Sequence, residues 1–364
     1  MTKTIITFFF LAADAAFALP RFSILTGMSC INCHVNPTGG ELRNSYGSSD
    51  FTDDHLSMVP AHGHDFNPQL GEDILIGGDV RFQYLYDGNA PAKSNTTFQS
   101  MEGSIYSSLH LYSSTRLLVK YDFVNSAYEV YGMYNFNNGD SYVKAGAFAP
   151  SYGIRLDDHT AYTRGGNFGY LRGIPQVGLI FAPDYRDLGV EIGSKFGNFL
   201  ATAAATNGDG YSQINFNSNK AFIGRVEYLS RGDLNYMLGG SAYLSSGVEM
   251  YGFQGGLGLD KRISILAEFD WAMSLPNPDI PPGSTSNAAL VEASYGIING
   301  LQAVARLDYF KTYAGGPEYL RYVFGADIYP IPHLDLIPQI RFNTTSAAGA
   351  PQPFEALVQS HIFF

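Results

Sequence analysis

Two cysteines are the whole thiol complement of this 364-residue chain, and they stand in one short run, Cys30-Ile31-Asn32-Cys33-His34. This is the C-x-x-C-H pattern of covalent c-type haem attachment. The spacing serves the chemistry: each thiol adds to one vinyl group of the ring, and the histidine beside the second thioether falls under the iron as its proximal ligand. Other readings need more than the run offers. A thioredoxin-type pair wants a βαβ context that is missing, and a zinc site would have to draw its remaining ligands from histidine alone. A plain disulfide gives the following histidine no role.

The second axial position is open at this level. Met28, His55, Met58, His62 and His64 lie within reach along the chain, and His and Met are the usual c-type partners. Met28 would need the backbone to fold back sharply. His62-Gly63-His64, after Pro60, is the most ligand-like cluster, although two solvated histidines in a polar loop read equally well. A five-coordinate or water-ligated iron is also open.

The residues flanking the motif are Leu19-Pro20-Arg21-Phe22, then Thr26-Gly27, and after it Pro37-Thr38-Gly39-Gly40, Arg43-Asn44 and Tyr46-Gly47. Over Leu19 to Gly47 the chain resembles the fused monohaem cytochrome c–porins of the outer membrane. That resemblance implies an electron-transfer protein, of iron-oxidase or extracellular-conduit type, working between periplasmic cytochromes and an extracellular donor or acceptor such as iron. The Pro37-Thr38-Gly39-Gly40 continuation departs from the iron-oxidase type.

The elements that must position this motif follow from the rest of the chain. Residues 1–18 read as a signal peptide: Lys3, an apolar run from Ile5 to Ala13 too short to span a bilayer, and Ala16-Phe17-Ala18 as cleavage site. Residues 19–72 form a Gly-, Asp-, His- and Pro-rich monohaem segment without alternation, too short to bury its own core. From 73 to 364 the chain alternates with period two. Leu117, Val119, Tyr121 and Phe123 oppose Lys120 and Asp122. Phe269 and Trp271 oppose Glu268 and Asp270, Leu307 and Tyr309 oppose Arg306 and Asp308, and Tyr322 and Phe324 oppose Arg321.

A soluble sandwich alternates too. Aromatic residues near strand ends, the export signal and a last segment ending on Phe364 favour a membrane barrel instead. That segment resembles the C-terminal strand recognised by the outer-membrane assembly machinery. Turn signals at Asn137-Asn138-Gly139-Asp140, Asn207-Gly208, Arg231-Gly232-Asp233 and Asn299-Gly300 punctuate the strands. The expected fold is all-β, a transmembrane antiparallel β-barrel of about 16 strands, both termini periplasmic, with the N-terminal haem-bearing segment as a plug. The plug position is favoured because a lone haem peptide needs an apolar wall.

The segment after Pro150 gathers Arg155, Asp157, Asp158, His159 and Arg164. These residues read either as a lumen constriction, lining a selective passage or touching haem propionates, or as a surface loop of self-paired charges. The net charge of −11 argues against nucleic acid as a partner, leaving outer-membrane lipid and cations. One haem cannot bridge a membrane of about 40 Å unaided, so cytochromes must dock beneath it or it must sit deep in the lumen. The alternative function is a porin passing ions or small solutes, with the haem structural or sensory.

Overall fold

The computed structural model describes residues 20–59, 66–88, 95–156, 158, 160–166, 177–182, 185–208, 210, 216, 220–230, 232, 234–347 and 354–364. The signal-peptide reading, His62, His64, Asp157 and His159 lie outside the described residues.

The strands, in chain order, are β1 (Gln69–Leu70), β2 (Ile74–Asp87), β3 (Thr96–Tyr112), β4 (Thr115–Asp122), β5 (Ala127–Phe136), β6 (Ser141–Phe148), β7 (Asp187–Phe196), β8 (Phe199–Thr206), β9 (Ala221–Leu229), β10 (Asn235–Leu244), β11 (Glu249–Leu259), β12 (Ile263–Met273), β13 (Thr285–Ile298), β14 (Leu301–Lys311), β15 (Glu318–Ile331), β16 (Leu334–Thr345) and β17 (Phe354–Phe363). Each of β2 to β17 pairs antiparallel with the next, and β17 pairs back onto β2, from Glu355 opposite Asp87 to Phe363 opposite Asp79. The result is the closed sixteen-stranded barrel expected from the alternation; β1 is only a short flap on the start of β2.

Alternation translates directly into two faces. Val119, Tyr121 and Phe123 are exposed outward, while Lys120 and Asp122 are buried inward; on β12, Ile265 and Phe269 face out and Glu268 and Asp270 in. Aromatic side chains gather at both rims, as membrane interfaces require. Phe196, Phe199, Tyr228 and Tyr236 cluster at one end, and Tyr84 with Phe98, Tyr251 with Trp271 and Phe342 with Phe354 at the other. The first end carries the tight turns, among them Ser113-Ser114, Gly197-Asn198 and Asn299-Gly300; the second carries the long connections 149–186, 207–220 and 274–284.

The N-terminal segment enters through the short-turn end. Helix α1 (Pro20–Thr26) stops at Gly27, whose φ of +72° is the left-handed conformation that glycine adopts freely, and the Gly27 amide donates to Ser23 O at 2.8 Å. It lies against β10, β11 and β12. Its seat exists because two neighbouring luminal positions of β11 are glycines: a Cβ on Gly258 would stand 2.1 Å from the Ile24 carbonyl oxygen, and one on Gly256 would meet the Ile24 side chain at 3.2 Å. Ile24 is fully buried with Ile154, Leu229, Met237 and Leu266, while Phe22 and Leu25 pack with Cys33, Phe51, Leu56, Tyr329 and Phe363. Gly258→Val is expected to unseat α1 at a cost of at least about 1–3 kcal/mol, as an overpacked contact does. Limited proteolysis of the folded barrel would then cut within residues 20–59, where the unaltered protein resists.

Candidate functional site

The C-x-x-C-H run winds into a single helical turn, Cys30–Asn32, with the amides of Cys33 and His34 both donating to Cys30 O at 3.1 and 2.9 Å. This winding gathers both thiols and the imidazole on one turn. The thiols are free of each other. Burial pushes the Cys30 thiol up to about 11; it pushes that of Cys33, with the neighbouring Cys30 adding to it, up to about 12. Both are therefore protonated at neutral pH, unlike the thiolate of a redox pair.

A small hairpin presents His34. The Val35 amide donates to Leu42 O at 3.0 Å and the Asn44 amide to Cys33 O at 2.9 Å, so His34 sits opposite Arg43. The hairpin tip is Asn36-Pro37-Thr38-Gly39-Gly40-Glu41; Gly39, Gly40 and Glu41 all have positive φ, and the Thr38 amide donates to Asn36 Oδ1 at 3.3 Å. Gly39 is also a close approach, since a Cβ there would lie 2.9 Å from Cys30 Sγ. Helix α2 (Ser45–Ser48) follows, capped by Asn44, whose side chain accepts from the Gly47 amide. A Cβ on Gly47 would come within 2.2 Å of Cys33 O, so α2 backs directly onto the motif.

Three residues, Glu41, Arg43 and Thr38, fasten this hairpin to the barrel and its long connection. Tyr131 Oη donates to Glu41 Oε2 at 3.0 Å from β5. The Arg43 guanidinium stacks over the Phe363 ring at 4.2 Å and stands 3.9 Å from Asp79, which is also hydrogen-bonded to His361 of β17. Arg155 donates to Thr38 Oγ1 at 3.3 Å from the long connection after β6.

That connection crosses the lumen. Asp158 accepts from Arg306 at 2.6 Å and from Arg341 at 3.0 Å, and Arg164 pairs with Glu268 at 2.9 Å. Tyr152 Oη donates to Asp270 at 2.9 Å, and Arg321 donates to Thr160 O at 2.8 Å. Asp158 and Arg164 of this loop thus pair with strands β12, β14 and β16 on the luminal wall.

Between hairpin, loop and wall lies a cavity of about 230 Å³, bordered by His34, Arg43, Met101, Lys120, Tyr152 and Arg155 among others. The His34 ring is 6% exposed and its Nδ1 is buried without a hydrogen-bond partner. Burial first, and the nearby Arg43 second, push its pKa down to about 3, so the imidazole is neutral and its nitrogen lone pair is available to a metal. The imidazole borders this cavity but neither thiol does: Cys30 lines a separate pocket with Ser23, Pro37, Tyr142, Phe199 and Leu229, and Cys33 packs with Phe22, Phe51 and Leu56. A porphyrin is larger than the cavity, so holding one requires lining side chains, Arg43, Glu102, Lys120 and Arg155 among them, to move.

The other axial candidates are placed elsewhere. The Met58 amide donates to Tyr329 O at 2.8 Å on the short-turn rim, His55 is exposed beside Phe51, and Met28 packs with the two apolar clusters around α1. None of the three borders the His34 cavity. Sequence reasoning missed Glu41 and Asp79, and it noticed Arg43 only as part of the run after the motif.

No family model and no curated protein matches the chain. Solved structures do. OprB of Pseudomonas putida superposes with a TM-score of 0.60 at 9% identity, covering 80% of this chain and 94% of its own. The outer membrane channel DcaP of Acinetobacter baumannii gives 0.56 at 12% identity, covering 85% and 100%, and an anion-selective porin from Comamonas acidovorans gives 0.55 at 10%, covering 80% and 99%. At such identities the likeness is one of fold. The chain has the porin-like β-barrel fold of outer-membrane channels.

Proposed function

We propose that this barrel carries one covalently attached c-type haem in its N-terminal segment and passes electrons between periplasmic cytochromes and a donor or acceptor outside the cell. The carrying observation is the placement of the motif: Cys30, Cys33 and His34 lie on one turn, inside the barrel mouth, with a neutral buried imidazole facing a luminal cavity. When bound, a c-type haem supplies a one-electron redox centre. Cys30 and Cys33 would hold it by thioethers and His34 by its ring nitrogen. Arg43 and Arg155, both bordering the cavity, would supply positive charge for its propionates.

The surrounding residues exclude bulk solvent. Helix α1 and the apolar cluster of Phe22, Leu25, Phe51 and Leu56 cover the short-turn side, and the described part of the connection after β6, tied to the wall through Asp158 and Arg164, narrows the long-loop side. The short-turn end of porin-like barrels is the periplasmic one. A soluble cytochrome would therefore meet this segment at the periplasmic mouth, and the lumen shortens the remaining distance to the outside.

A second reading, a porin passing ions or small solutes, is favoured by the channels among its structural neighbours. One preparation separates the two. In proteoliposomes enclosing a reduced soluble cytochrome, the first reading predicts reduction of a membrane-impermeant ferric chelate outside, with single-channel conductance near baseline in planar bilayers. Porin-level conductance without transmembrane electron transfer would decide for the second.

A further inference from the structure

We infer that the luminal cavity bordered by His34 is a binding site for a small organic carboxylate, held by Arg155. The inference goes beyond both readings above, since it needs neither a ring nor an open pore. The cavity is a cleft along the inner faces of β2 to β5. It reaches from His34 and Arg43 in the hairpin to Asp122 and Asn125, which stand at the β4–β5 turn on the long-loop end. The acids along it are engaged. Glu102 meets Lys120 at 2.9 Å and Arg81 at 3.5 Å, Glu129 meets Arg186 at 2.5 Å, and Asp79 is hydrogen-bonded to His361. Asp122 accepts from the amides of Gly103, Val124 and Asn125, and Glu41 accepts from Tyr131 and Asn36.

Six arginine and lysine side chains border the same space, and five of them have a carboxylate: Arg81, Lys120 and Arg186 as above, Arg43 with Asp79 at 3.9 Å, and Arg164 with Glu268 at 2.9 Å. Arg155 has none among the described residues. Its guanidinium reaches only neutral oxygens, Thr38 Oγ1 at 3.3 Å and Ala149 O at 3.4 Å, and its Nε is buried without a partner. The hairpin tip makes room for it, since a Cβ on Gly40 would stand 3.0 Å from Arg155 Nη1. At the same end His34, 6% exposed, turns its own unpartnered Nδ1 to the cleft. A partly buried cation without a counter-charge is costly to hold, and an anion offsets that cost. The planar guanidinium fork matches the two oxygens of a carboxylate. The connection after β6 adds apolar surface through Ala149, Pro150, Leu156, Phe181 and Ala182, so the anion that fits carries a carbon body. At about 230 Å³ the cleft lies below the range of drug-sized ligand pockets, about 300–1,000 Å³, which keeps that body short.

The test is titration calorimetry of the purified full-length barrel with butyrate, set against butyramide, which keeps the carbon body without the charge, and inorganic phosphate, which has the charge without the body. Butyrate is expected to bind at one site per chain, and the other two weakly or not at all. Arg155→Gln should weaken butyrate at least about tenfold, as the loss of a hydrogen bond to a charged group does. Arg155→Lys, which keeps the charge without the fork, should fall between. Lys311→Gln, at the long-loop rim and paired with Glu318 outside the cleft, should bind as the unaltered chain does. Heat-modifiable gel mobility reports that each variant has folded. Undiminished binding by folded Arg155→Gln, equal binding of butyramide or phosphate, or no binding of butyrate by the unaltered barrel overturns the assignment. Each of these leaves the haem reading intact, because haem is read separately from the optical spectrum of the same preparation.

Discussion

Replacing Cys30 and Cys33 together by alanine is expected to remove covalent haem completely and to reduce transmembrane electron transfer at least about a hundredfold, to the rate of protein-free membranes. The change is confined because the turn does not depend on the thiols. Its backbone is held by the amides of Cys33 and His34 on Cys30 O, by the hairpin to Leu42, and by α2 packed through Gly47. Losing one buried sulfur at Cys33 costs about 1 kcal/mol, an ordinary figure for a single substitution. That is small against a ladder of sixteen paired strands, so the barrel should insert and keep its gel mobility. Haem-dependent peroxidase staining after denaturing electrophoresis checks the loss. A double variant that keeps its stain would detach the cofactor from this motif.

The second large effect concerns the lumen. Deleting residues 20–59 from the exported chain is expected to raise single-channel conductance on the order of tenfold, because the segment fills the short-turn mouth. Helix α1 sits on the glycines of β11, and the hairpin is fastened through Glu41, Arg43 and Thr38. The connection after β6 would stay, since Asp158 and Arg164 are tied to Arg306, Arg341 and Glu268 rather than to the plug. The deleted barrel should therefore behave as a constricted porin, not an open hole. Planar-bilayer recordings read the difference directly, and an unchanged conductance would mean that the segment does not obstruct the passage.

What could be read in advance, and what could not, has a physical pattern. Period two in runs such as Leu117 to Phe123 fixes which face meets lipid, because neighbouring side chains on a strand point in opposite directions. The closed barrel followed from such runs. The destination of the 149–186 connection did not, because its partners are remote in sequence: Asp158 meets Arg306 and Arg341 across 148 and 183 residues. Arg306 reads in sequence as one more inward charge on a strand, with nothing to say that a loop carboxylate is its partner.

At the site, the five-residue motif was legible as chemistry and silent on its setting. Gly256 and Gly258 look like weak points in a strand, where Gly usually costs stability, until α1 is seen to need the space. Proximity in sequence pointed to His62, His64 and Met58 ahead of Met28; the fold holds Met58 at the short-turn rim and Met28 against α1.

The central claim, a porin-like barrel with one haem bound through its N-terminal cysteines, is tested most directly by the intact mass of protein extracted from the outer membranes of cells competent for c-type cytochrome maturation. The mass should exceed that of the processed polypeptide by one haem, and peptide mapping should place the addition on the fragment holding Cys30 and Cys33. A mass equal to the bare polypeptide, or to the polypeptide less two hydrogens as in a Cys30–Cys33 disulfide, would contradict it.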